Sequence, residues 1–295
     1  MIQSIADLIR RAKDSHLSIG RLVIEDEILE SGKSEEEIWA RMLASWRVME
    51  EGARLGLQGV KSKSGLVGGG AKLLEEARLG GKTITNLLAA ALARSVAVAE
   101  VNASLGRIVA APTAGAAGVL PGVFLAVYHE KKVPEEKIIE ALFAAGGIGQ
   151  AVAARATIAG AAGGCQAETG VASAMAAGAL VELFGGNPDQ VASAVAITIT
   201  NHLGLVCDPI AGLVEVPCVK RNAAATANAF AAAELALAGV MSVIPADEVI
   251  DTMSEIGHLM PTSLRETAQG GLAATPTGKR IAAKLRQELH LRQTD

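Results

Sequence analysis

Cys165, Cys207 and Cys218 are the only cysteines of this chain. Each stands beside glycine, proline or an acidic residue, not in an apolar helical stripe. The first lies in Gly164-Cys165-Gln166-Ala167-Glu168; the other two bracket the loop from Cys207-Asp208-Pro209 to Val216-Pro217-Cys218. Three thiolates can hold three corners of a 4Fe–4S cube and leave the fourth iron open. An open iron is a Lewis acid able to grip a hydroxyl, whereas a cluster with four thiolates mainly carries electrons. Two plainer readings compete. Free cysteines are often buried as small apolar side chains. Zinc also takes thiolates, although structural zinc sites use four ligands with close C-x-x-C pairs, which are absent here. His202 could supply a fourth donor, or simply pack in the core.

Two glycine-rich loops offer complementary chemistry. Lys61-Ser62-Lys63-Ser64-Gly65 runs into Gly68-Gly69-Gly70 and combines hydroxyls, ammonium groups and free backbone N–H donors. Such a set suits a carboxylate. Ala111-Pro112-Thr113-Ala114-Gly115-Ala116-Ala117-Gly118 has the same character, with Thr113 ahead of residues small enough to let the backbone approach a ligand. For both loops, an ordinary surface turn is the competing reading. Gly147-Ile148-Gly149 resembles the start of a dinucleotide fingerprint, but it follows a helical pattern, not a strand.

The elements that must position these residues read as helices throughout, so the expected fold class is all-α. Ser34-Glu35-Glu36-Glu37 is a capping box, after which Ile38, Met42, Trp46 and Met49 recur at helical spacing. Pro134, Pro188 (after Asn187) and Pro245 each stand where a helix should begin. Asn222 to Leu237 is a long alanine-rich run, and Lys279 to Asp295 reads as a charged terminal helix. Half of the residues are hydrophobic but only 2% are aromatic, so the core must be built from Ala, Val, Leu and Ile. Residues 1–58 form a charged amphipathic section expected to pack on the outside of a catalytic core spanning 59–295, the two together making one domain. Two uncharged stretches, Ile108 to His129 and Gln190 to Cys207, carry prolines or polar residues and lack basic or aromatic flanks. They are read as central helices, not membrane spans. A net charge of −4 gives no footprint for nucleic acid or an anionic membrane. Three cysteines without a signal peptide point to a reducing cytoplasm.

Taken together, the cysteine frames, the two glycine loops, Asn201-His202-Leu203-Gly204-Leu205, and Arg265-Glu266-Thr267 with Gly270 to Gly278 resemble the α subunit of the iron–sulfur-dependent bacterial L-serine dehydratases. The resemblance covers residues 5 to 285. It implies a 4Fe–4S cluster on Cys165, Cys207 and Cys218, and contacts to L-serine from Lys61, Ser62, Ser64, Thr113 and Gly115. It also implies elimination of water to give pyruvate and ammonia. Members often fuse an α/β domain ahead of the α domain, and no such domain is found in these residues. A separate β subunit is therefore expected, in an α/β heteromer or a dimer of such pairs, with the proton-abstracting base expected on that subunit. Cysteine desulfidation, pyridoxal phosphate chemistry on Lys61 and a non-catalytic metal-stabilised scaffold are the alternatives.

Overall fold

The computed structural model describes residues 2–291, with side chains through 288. Helices α1 (Ile5–Ser15), α2 (Ile19–Ser31) and α3 (Glu35–Gly59) open the chain, followed by α4 (Gly70–Leu79), α5 (Asn86–Ala103), α6 (Val119–Lys131) and α7 (Glu135–Ala153). A single turn, α8 (Gly160–Gly163), precedes α9 (Val171–Leu183), α10 (Pro188–Thr200), α11 (Cys218–Leu237), α12 (Ala246–Leu259) and α13 (Pro276–Leu291). Among the described residues the only β pairings are two isolated bridges, Lys61 with Gly68 and Cys207 with Arg265. The fold is all-α, as the capping and periodicity imply.

Helices α5, α6, α9 and α11 form the middle of the bundle. Every residue of α9 from Val171 to Val181 is buried, as a helix apolar on all faces requires. The small side chains let these helices cross closely. A Cβ added at Gly122 of α6 would stand 2.6 Å from Ser95 Cβ on α5, so a larger residue there would force the two helices apart. The amino-terminal section is more than an outer coat: Ile5, Leu8, Ile19, Ile24 and Trp46 join the main core. Trp46 is fully buried and meets Tyr128 edge-on at 5.8 Å.

The helix starts follow the sequence closely. Ser34 and Glu37 cap each other's backbone N–H groups at 3.2 and 2.9 Å, and Asn187 and Gln190 do the same. Pro188 is the first residue of α10, but Pro134 and Pro245 sit one position earlier, as N-caps with ψ of 143° and 147°. At those angles the chain is still extended, and a proline there leaves no donor unsatisfied. The two uncharged stretches differ more. Only Val119 onward of the first and Gln190 to Thr200 of the second belong to long helices; the remainder, which includes Thr113, Gly115, His202 and Cys207, is loop, turn or short 3-10 helix. Among the described residues no helix is long and apolar enough to cross a membrane. The last residues of the predicted terminal helix lie outside the described range.

Candidate metal centre

Three segments bring the cysteines together. Cys165 precedes a π-turn, Gln166–Gly170, that runs straight into α9. Its turn is pinned by Thr169 Oγ1 donating to the Cys165 carbonyl at 2.9 Å, and by Gln166, whose backbone N–H donates to the Leu205 carbonyl at 3.1 Å. Cys207 lies in an extended stretch bridged to Arg265: its N–H donates to Leu264 O at 2.8 Å and its carbonyl accepts from Glu266 N at 2.7 Å. Cys218 is the first residue of α11. Two of the three therefore sit at helix starts, where backbone N–H groups favour a thiolate.

All three thiols are buried and free of disulfides. The Cys165 and Cys207 sulfurs and a Glu168 carboxylate oxygen lie within 4.8 Å of one another; Cys218 stands outside that trio. Arg221, one turn into α11 from Cys218, reaches back to the site. Its Nη1 donates to Cys165 Sγ at 3.4 Å and to the Val206 carbonyl at 2.7 Å, while Nη2 pairs with buried Asp208 at 2.8 Å. Asp208 also accepts from Leu272 N at 2.7 Å, tying down the carboxy-terminal loop.

These contacts set the order in which protons leave. The hydrogen bond from the Cys207 thiol, aided by Arg221, holds Cys165 below its ordinary value. The same thiol pair, with burial added, pushes Cys207 up. Burial and the neighbouring Cys165 charge push Cys218 up to about 12. Of the three thiols, then, Cys165, beside its arginine, is the first to lose its proton, and Cys207 and Cys218 hold theirs more tightly than a free thiol.

The two glycine loops converge on the same region. Thr113 Oγ1 donates to Glu168 Oε1 at 2.7 Å, and a Cβ at Gly115 would stand 3.0 Å from that oxygen. Buried Asn222 ties this loop to Cys218: its Nδ2 donates to the Gly115 carbonyl at 2.7 Å and the Cys218 carbonyl at 2.9 Å, and its Oδ1 accepts from Gly118 N at 2.9 Å. The other loop attaches one step further out. Ser62 and Ser64 hydroxyls lie 3.1 Å apart, and Ser64 donates to Glu215 Oε2 at 2.6 Å, on the segment that leads to Cys218. Glu100 anchors the far end of that loop by accepting from Gly70 N at 2.8 Å and Ala71 N at 3.4 Å. Lys61 and Lys63 are exposed. Lys63 and Ser64 line a cavity of about 500 Å³ with Asn102, Ala114, Glu215 and Leu285; no cysteine lines it.

His202 is buried, and burial pushes its pKa down. Its Nδ1 lies 3.0 Å from the Thr198 carbonyl and 2.9 Å from Asn228 Nδ2, so that ring nitrogen is engaged with α10 and α11. The residues that sequence reasoning passed over are Glu168, Arg221, Asp208, Glu215 and Asn222. Two had a legible signal: Cys165-x-x-Glu168 and Cys218-x-x-Arg221 both have the i, i+3 spacing that places side chains on one helical face.

Residues 14–273 match the family model described as serine dehydratase alpha chain. The chain belongs to this family. It is 51% identical over 286 residues to the probable L-serine dehydratase, alpha chain, of Bacillus subtilis, covering 97% of this chain and 95% of that protein. It is 46% identical to the L-serine dehydratase, alpha chain, of Peptoniphilus asaccharolyticus, covering 95% and 97% of the two chains. The L-serine dehydratase of Streptomyces coelicolor is 40% identical over 278 residues, but these span only 59% of its length.

Proposed function

We propose that this chain is the α subunit of a cytoplasmic L-serine dehydratase that eliminates water from L-serine, giving pyruvate and ammonia, together with a separate β subunit. The observation that carries this reading is the meeting of Cys165 and Cys207 with the Thr113 loop around one carboxylate, in a chain whose relatives are named for that reaction.

The donor set fits a 4Fe–4S cluster attached at three corners: three buried free thiols, no fourth cysteine, and a guanidinium offsetting charge on one sulfur. Cys165, Cys207 and Cys218 would hold it. When bound, such a cluster supplies an iron without a cysteine ligand, a Lewis acid for the leaving hydroxyl.

The remaining work falls to the chain. Ser62, Ser64, Thr113 and the backbone at Gly115 orient the substrate, with Ser64 fixed by Glu215 and Thr113 by Glu168. Lys61 and Lys63, exposed on the same loop, attract its carboxylate. The Cα proton needs a base, and the described histidines are poorly suited: His202 Nδ1 is engaged, His129 packs on Tyr128, and His16 and His258 are exposed. We assign the base to the β subunit. Relatives such as the Streptomyces enzyme, much longer than the matched region, have room for an equivalent domain in one chain.

The test is to purify the chain anaerobically, load it with iron and sulfide, and titrate in the β subunit while following pyruvate. A rise of severalfold or more is expected. Full turnover without β would return the base to this chain, with His202 the first to mutate. Competing L-serine against L-cysteine in the same assay separates dehydration from desulfidation.

A further inference from the structure

Glu168 has no assigned part in holding the centre, yet among the described residues its carboxylate completes the only group of three His, Cys, Asp or Glu donors spaced for a metal, with Cys165 and Cys207. Cys218, a ligand by resemblance, stands outside that trio. The π-turn explains how Glu168 gets there. Cys165 precedes it and Glu168 lies within it, three residues on, and the Cys165 sulfur and a Glu168 carboxylate oxygen lie within 4.8 Å of each other. Single π-turns of this kind recur where a helix must re-aim a side chain at a site.

The surroundings are shaped to the carboxylate. A Cβ at Gly160 would stand 2.5 Å from Glu168 Oε2 and 3.3 Å from Cys207 Sγ, so one missing side chain makes room for both donors. Gly115 leaves the other oxygen clear, apart from the Thr113 hydroxyl. Among the described residues Glu168 makes no ion pair. Arg221, the cation that reaches the Cys165 thiol, is committed to Cys165, Val206 and Asp208. A partly buried carboxylate beside two sulfurs and without a cation is costly unless a positive centre joins it.

We propose that Glu168 is a fourth protein donor to the metal centre, occupying the position the cysteines leave open until substrate displaces it. This rests on the cluster reading above. Glu168 would then protect the labile iron in the resting enzyme, and Thr113, its hydrogen-bond partner, would receive the carboxylate when it is displaced.

The test uses the anaerobically loaded full chain and its Glu168→Ala, Glu168→Gln and Thr113→Val variants, with folding checked by circular dichroism. Loss of the labile iron is followed as growth of the three-iron electron paramagnetic resonance signal after a fixed dose of ferricyanide, without substrate. Both Glu168 variants should lose that iron severalfold faster than the wild type, while Thr113→Val keeps the wild-type rate. Mössbauer spectra of the labile site, enriched in ⁵⁷Fe, should change on adding L-serine to the wild type and already differ in Glu168→Gln without it. Folded Glu168 variants with wild-type iron loss and spectra would overturn the proposal and leave the cluster intact. Equal acceleration by Thr113→Val would overturn it too, by making Glu168 a positioning residue. A wild-type chain that takes up no iron and sulfide defeats the cluster reading and this proposal together.

Discussion

Replacing Arg221 by Met should cost the chain a large part of its margin of stability before any cofactor is considered. The guanidinium pairs at 2.8 Å with Asp208, whose side chain is only 4% exposed, and also carries the Val206 carbonyl and the Cys165 sulfur. Removing one partner of a buried pair strands the other charge, at a cost of about 3–5 kcal/mol. An unfolding entropy of about 2.1 cal/mol/K per residue gives about 0.6 kcal/mol/K for a chain of this length. The melting temperature should therefore fall by about 5–8 °C. Replacing both partners, Arg221→Met with Asp208→Asn, should recover much of that loss, because no charge is then stranded. Thermal unfolding of the metal-free chain by circular dichroism measures both. A single variant within about 1 °C of the wild type, or a double variant no better than the single, would refute the claim that this pair anchors the Cys207 segment to α11.

Three further outcomes follow from the same geometry. Changing any one of Cys165, Cys207 or Cys218 to Ala should lower bound iron and abolish pyruvate formation; full activity in one variant would remove that residue from the ligand set. Because Cys207 and Cys218 are pushed up, the latter to about 12, both are protonated at neutral pH and metal must displace their protons. Apparent metal affinity should therefore fall as pH falls, by up to about tenfold per unit for each proton released, with proton release visible in a weakly buffered titration; uptake independent of pH between 6.5 and 8.5 would contradict the thiol assignments. Trp46→Ala should destabilise the chain by about 3–5 kcal/mol while leaving iron content per folded chain unchanged, since Trp46 belongs to the core under α3 and touches none of the site.

Helix starts were legible in the sequence because they depend on neighbours: Ser34 with Glu37 and Asn187 with Gln190 complete their caps within four residues. The cysteines and both glycine loops stood out for a different reason, since few residue types offer such donors and each motif is compact; the structure brings Cys165, Cys207 and the Thr113 loop together. What escaped was the wiring. Cys165 and Cys218 read as lying outside helices, because glycine and proline flank them, yet they occupy helix starts. Once those starts are placed, the i, i+3 partners Glu168 and Arg221 turn inward. Pairing of the Cys207 segment with Arg265, and of Asn222 with Gly115, joins segments distant in sequence, which no local pattern encodes. Lys61 and Lys63 are both exposed, and that only Lys63 lines the cavity beside Ser64 is likewise set by distant segments such as Asn102 and Leu285.

The most direct measurement of the central claim is metal and sulfide analysis of the chain isolated without oxygen, read beside its absorption spectrum and its pyruvate formation with the β subunit. The account predicts a brown protein with roughly four iron and four acid-labile sulfide per chain, active on L-serine when β is added. A colourless protein holding one zinc per chain, or a yellow one with a sharp aldimine band, would contradict it.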